Sequence, residues 1–146
     1  MNFEEWEKSA PETFKADTLW KVKAYRLALY LSDLCWQDTV LLLKDRRTIS
    51  LVDQLYRSVG SVGANLAEGY SRSTGKDRAL FYQYALGSAR ESRDWYYKAR
   101  FVLGEDVAGH RWQVITEILR LLLTMIPQQR GHSIREKANP YEAETG

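Results

Sequence analysis

The sequence predicts an all-α protein: an antiparallel up-down four-helix bundle with an N-terminal arm and a C-terminal tail. Three observations carry the prediction. Apolar residues recur at spacings of three and four along four successive stretches, the period that puts them on one side of a helix. No alternating run bounded by turns reads as a strand. The polar breaks between stretches are short, which favours neighbours folded back on each other. With 146 residues, 45% hydrophobic and 27% charged, the chain forms one domain whose core needs no disulfide.

Residues 1–17 read as an arm with Trp6, Pro11 and Phe14 but no sustained period. Its aromatics are expected to lay it on the body or on a neighbouring subunit. Asp17 or Thr18 is the expected N-cap of the first long helix, whose inner face is Trp20, Ala24, Leu27, Leu31 and Leu34 and which ends before Arg46-Arg47. The second helix opens near Thr48 or Ser50, where Ser50-Leu-Val-Asp53 resembles a capping box, and runs to Tyr70. Leu55, Val59, Val62 and Leu66 form its stripe, among the small residues Ser58, Gly60, Ser61, Gly63, Ala64 and Ala67. Small neighbours let other helices come close, so this segment is placed at the centre.

Thr74 is the expected N-cap of the third helix and Gly104 its stop. Phe81, Ala85, Ser88, Ser92, Trp95, Ala99 and Val102 alternate spacings of four and three, one continuous heptad seam. The fourth helix is expected from Asp106 or Val107 to Ile126, with Val114, Ile118, Leu121 and Met125 inward and with Pro127 and Gly131 ending it. The bundle is thus assigned to residues 18–127. The polar, charge-balanced residues 128–146 are expected to be a disordered tail.

Composition excludes several functions. The apolar run Ile118–Ile126 is too short to span a bilayer and is broken by Arg120 and Thr124. The start, Met1-Asn-Phe-Glu-Glu-Trp6, is acidic where a secretory signal is basic and then apolar. A cytoplasmic protein without a membrane role is expected. Cys35 is the single cysteine, so no intrachain disulfide forms, and with no histidine near in sequence it is read as a partly buried thiol. The net charge of +2 is uneven: residues 1–17 hold five acids against two bases, and residues 44–100 hold eleven bases against six acids.

Gly69-Tyr-Ser-Arg-Ser-Thr-Gly-Lys76 superficially resembles a phosphate-binding P-loop. Its spacing is off by one, Asp77 stands where Ser or Thr would ligate magnesium, and a helix precedes it. An inter-helix turn with an N-cap is the better reading. Around it cluster Arg57, Arg72, Lys76, Arg78, Arg90 and Arg93, with Tyr70 and Tyr82 among them. Such residues neutralise phosphates and stack on bases; a solvated face with Arg90 and Arg93 paired to Asp94 is the competing reading. Asn65, Glu68 and Glu91 lie beside apolar stripes and are read as structural, because no His-containing i, i+3 motif accompanies the acids. The fourteen tyrosines and tryptophans exceed what a monomeric core needs, and Trp95-Tyr-Tyr97 must send a ring outward, a mark of self-assembly.

Asn65-Leu-Ala-Glu-Gly-Tyr70, the basic-serine turn, Phe81, Ala85-Leu-Gly-Ser88 and Glu91 together resemble the four-helix-bundle family encoded in intervening sequences of bacterial 23S ribosomal RNA genes. That family is similar to accessory proteins of diversity-generating retroelements. The resemblance covers about Leu19 to Met125 and makes Asn65, Glu68, Gly69, Gly87 and Glu91 structural motif positions. It implies a bacterial bundle assembling as a ring, typically a pentamer. For the accessory branch it implies a basic surface that binds nucleic acid and a reverse transcriptase. Gly63 stands where the family often has proline, and the arm and tail lie outside the pattern. The expectation is a non-enzymatic oligomer that binds RNA or DNA, with no cofactor and no metal. The alternative is a protein-interaction scaffold with no nucleic-acid role.

Overall fold

Four long helices carry the core of this all-helical chain. The computed structural model describes residues 1–135. Two short helices, α1 (Phe3–Ser9) and α2 (Glu12–Lys15), and a 3-10 turn (Thr18–Lys21) precede α3 (Lys23–Leu42), α4 (Ile49–Tyr70), α5 (Gly75–Leu103) and α6 (Glu105–Arg135). The described residues contain no strand. Contacts run round the long helices as a cycle: α3 on α4, α4 on α5, α5 on α6, and α6 back on α3. Among the described residues no helix is long and apolar enough to cross a membrane.

The stripe read in α4 is the centre of the core. Leu55, Val59, Val62 and Leu66 are all fully buried. Its small neighbours set the distances. Ser92 Oγ donates to Ser58 Oγ at 3.1 Å, and Ser88 Oγ donates to Ser61 Oγ at 2.9 Å. Gly69 lies so close to α5 that a Cβ there would meet Tyr82 Cε1 at 2.8 Å and Phe81 Cβ at 2.9 Å. These three contacts put α4 and α5 in one folded-back register about the turn at residues 71–74.

Several element boundaries and faces differ from those read in the sequence. Asp17 accepts from Leu19 N–H at 3.0 Å and so closes the 3-10 turn; α3 begins only at Lys23, after extended Val22, with no side-chain cap. The Ser50–Asp53 capping box does not form. Thr48 holds the N-cap position of α4, yet its hydroxyl donates back to Leu42 O at 2.5 Å and binds the α3–α4 loop instead. Thr74 does cap α5, accepting from Asp77 N–H at 3.1 Å, and Gly104, with φ 89°, alone connects α5 to α6.

The buried line of α5 is Tyr82, Ala85, Ala89, Ser92, Tyr96, Ala99 and Leu103, a heptad that shares three positions with the expected seam. Phe81 and Trp95 sit half-buried at its edge. Because α5 packs against both α4 and α6, its covered face is wide and centres between the two rows. Likewise α6 turns Ile115, Ile118, Leu119, Leu122 and Ile126 inward, leaving Leu121 and Met125 half-buried. Pro127 lies inside α6. The hydrogen bond it cannot donate would run to the carbonyl of Leu123, a residue on the exposed face, so the missing donor falls on the solvent side of the helix and not in the core. The segment expected as a tail therefore begins as helix through Arg135; residues 136–146 lie outside the described residues.

The arm residues rest on α3. Trp6 Nε1 donates to Asp33 at 2.7 Å, Arg26 pairs with Glu7, and Trp6 packs 6.0 Å from Trp20 and 5.7 Å from Tyr30.

Candidate nucleic-acid interface

The six basic residues singled out in sequence fall into separate groups in space. At the α4–α5 turn, Arg72 is tied to Glu68 by a 2.6 Å ion pair and its guanidinium lies 4.5 Å from the Phe81 ring centre. Arg78 Nε donates to the Arg72 carbonyl at 2.8 Å, and its guanidinium lies 5.9 Å from the Tyr70 ring centre. Two of the three turn cations thus stitch the turn together. Lys76 is exposed and makes no ion pair among the described residues. Tyr82, read as a stacking partner, is 2% exposed and packs against Gly69. It offers no face to a ligand.

Arg90 and Arg93 stand about 18–26 Å further along α5 than Arg78 and Lys76, twelve to seventeen residues at 1.5 Å each. They share a face with Asp94 and Tyr97, since spacings of three, four and seven are helical neighbours. Across a groove of about 570 Å³ they meet Trp112 of α6. The Tyr97 and Trp112 rings are stacked, with centres 6.2 Å apart. Arg100 covers Tyr97 at 3.7 Å, while Tyr97 remains 53% exposed. The indole N–H of Trp112 is buried and has no acceptor among the described residues. Arg57, on α4 beside Ser58, sits level with Arg93 and among the described residues bonds Gln54 alone.

The ion pairs of this face differ from the competing sequence reading. Asp94 is held by Lys98 at 2.8 Å. Neither Arg90 nor Arg93 has an acid partner among the described residues. Two uncompensated guanidiniums therefore flank two aromatic rings.

Three of the motif positions make close contacts within the chain. Asn65 Nδ2 donates to Ser61 O and Ser61 Oγ, both at 2.9 Å, and continues the serine ladder between α4 and α5. Glu68 holds Arg72, and Gly69 is required by the approach of Tyr82. Glu91 is exposed and accepts from Trp95 Nε1 at 3.0 Å. Gly87 faces open space, so nothing among the described residues demands glycine there. Glu68 and Glu91 thus have separate partners, and no His, Cys, Asp or Glu cluster among the described residues could hold a metal.

A buried polar cluster escaped the sequence reading. Arg111 grips Asp38 through two 2.8 Å bonds, and Tyr96 OH donates to the same carboxylate at 2.7 Å. Burial raises the Tyr96 hydroxyl far above its usual range, with Cys35 and Asp38 adding to the effect. Burial also pushes the Cys35 thiol up to about 12, which leaves no thiolate for nucleophilic work. His110 is lowered, first by burial and then by Arg111, whose Nη1 lies 2.7 Å from Nδ1. The signal was present in part. Asp38 continues the spacing of Leu31, Leu34 and Cys35 onto the inner face, where an acid needs a partner. Nothing local named Arg111 as that partner.

The comparisons with known proteins agree with the fold. The family model described as 23S rRNA-intervening sequence protein matches residues 21–108. A crystal structure of a protein of unknown function from the S23 ribosomal protein family, from Bacteroides thetaiotaomicron, aligns with a TM-score of 0.66 at 21% identity, over 70% of this chain and 97% of its own. No curated protein matches the chain. With the match spanning well over half of its residues, the chain belongs to the 23S rRNA-intervening sequence protein family.

Proposed function

We propose that the four long helices form an antiparallel up-down bundle and that the chain is a non-enzymatic, cytoplasmic nucleic-acid-binding protein working as a homopentameric ring. The observation that supports this reading is the pair Arg90 and Arg93, free of acid partners beside Tyr97 and Trp112, with Asp94 held by Lys98. A guanidinium with no protein carboxylate keeps its charge for a phosphate and releases counterions on binding. Repetition round a ring multiplies a weak patch. Trp36, Val40, Leu43 and Tyr56 are exposed in one region where the end of α3 meets α4, an apolar patch of the kind a neighbouring subunit covers. Through its likeness to retroelement accessory proteins, the ring would hold template RNA and a reverse transcriptase together.

Light scattering after size exclusion, with and without nuclease, followed by RNA and DNA titrations across salt, tests this reading. The expected result is a ring-sized particle with salt-dependent affinity. Arg90→Glu with Arg93→Glu should lower that affinity at least about tenfold and flatten the salt slope by about one to two units. Reversing Arg72, Lys76 and Arg78 should cost less. A ring with no affinity at low salt would favour the protein-interaction scaffold, which the same apolar patch also supports; a monomer would remove the ring.

A further inference from the structure

The α5–α6 groove has the features of a seat for a base, beyond those of a basic surface. Its volume of about 570 Å³ lies in the range of small-ligand sites. The Tyr97 and Trp112 rings form one wall, and at 6.2 Å they already touch. A base would therefore lie against them and not between them, displacing Arg100 from the Tyr97 face it covers at 3.7 Å and exchanging an exposed cation–π contact for a base–aromatic stack. Arg90 and Arg93, one turn apart on the rim, are free to take the flanking phosphates, because the groove's acid, Asp94, is occupied by Lys98 at 2.8 Å.

We propose that this groove binds an unpaired base of single-stranded nucleic acid, with Tyr97 and Trp112 as stacking wall and Arg90 and Arg93 as phosphate clamps. The inference rests on the nucleic-acid reading above and narrows it. In a duplex the base faces are stacked on one another and cannot reach the wall, whereas a single strand offers them. The phosphate term is common to both, so the two rings decide the preference.

The test titrates the full chain with a labelled single-stranded RNA 12-mer and with the same strand in duplex form, at two salt concentrations. The expected result is tighter single-strand binding. Tyr97→Ala, at an exposed position that spares the fold, and Trp112→Leu should each lower single-strand affinity about tenfold and leave duplex affinity within about twofold. Trp112→Phe, which keeps a ring, should retain most of the preference. Circular dichroism confirms that each variant is folded. Salt-dependent binding with equal affinity for both forms, or with Tyr97→Ala indistinguishable from the native chain, overturns the base seat and leaves the nucleic-acid reading standing. No salt-dependent binding to either form overturns both.

Discussion

Replacing Gly69 by alanine tests the register of α4 on α5. The added Cβ would sit 2.8 Å from Tyr82 Cε1 and 2.9 Å from Phe81 Cβ, against an optimum of about 3.5–4.0 Å between carbons. Neither neighbour can yield cheaply. Tyr82 is 2% exposed, and a Cβ is fixed to its backbone. Overpacking of this kind costs about 1–3 kcal/mol. The helix-propensity gain of Gly→Ala, about 1 kcal/mol in a helix interior, is smaller here because Gly69 lies one residue from the end of α4. Gly60→Ala is the control, since its Cβ meets nothing within 4 Å and keeps the full gain. The two alanine variants should therefore differ by about 2–3 kcal/mol, with Gly69→Ala the less stable, or about 4–12 °C in Tm. Urea denaturation followed at 222 nm, at matched protein concentration, measures the gap. A difference below about 0.5 kcal/mol, within the ordinary scatter of surface substitutions, would refute the close approach.

Asp38→Ala leaves Arg111 buried without its carboxylate and Tyr96 OH without its acceptor. It should cost about 3–5 kcal/mol in urea denaturation, whereas Asp38→Leu combined with Arg111→Met should cost far less. His110 has a lowered pKa, so the folded state binds fewer protons than the unfolded state as pH falls. Its contribution is present above about pH 6.5 and is lost as pH drops through the unfolded and then the folded value. Denaturation midpoints between pH 7.5 and 5.0 should fall more for the native chain than for His110→Gln, and parallel profiles would exclude His110 as the cause.

Local periodicity made α4 legible, since a stripe of four aliphatic residues among small ones has only one inner side. It did not settle α5. Phe81, Ser88 and Trp95 on one row and Tyr82, Ala89 and Tyr96 on the next are equally plausible to a period count. The row that won places Tyr96 beside Asp38, a partner 58 residues away in sequence, and no local rule reaches that far. Pro127 misled for a similar reason. A proline ends a helix where its missing donor is needed, and here the affected carbonyl belongs to an exposed residue. Trp112 was overlooked because its partner Tyr97 lies on another helix.

The division of the basic residues, by contrast, follows from a rule readable in the sequence. An acid four residues before a base on a helix pairs better than the reverse, because that order agrees with the helix dipole. Glu68 precedes Arg72 by four, and Asp94 precedes Lys98 by four; both pairs form, at 2.6 Å and 2.8 Å. Arg90 precedes Asp94 by four, the weaker order, and loses the carboxylate to Lys98. Arg93 has no acid three or four residues away on either side. Of the three cations nearest the turn, which look most like a phosphate site in sequence, two are already committed, Arg72 to a carboxylate and Arg78 to a backbone carbonyl, which leaves Lys76 there without an ion pair among the described residues. A phosphate approaching Arg72 must first displace Glu68, whereas one approaching Arg90 or Arg93 displaces only water and counterions. Ion-pair direction thus moves the expected binding surface from the α4–α5 turn to the α5–α6 groove, where the exposed ring of Tyr97 also lies.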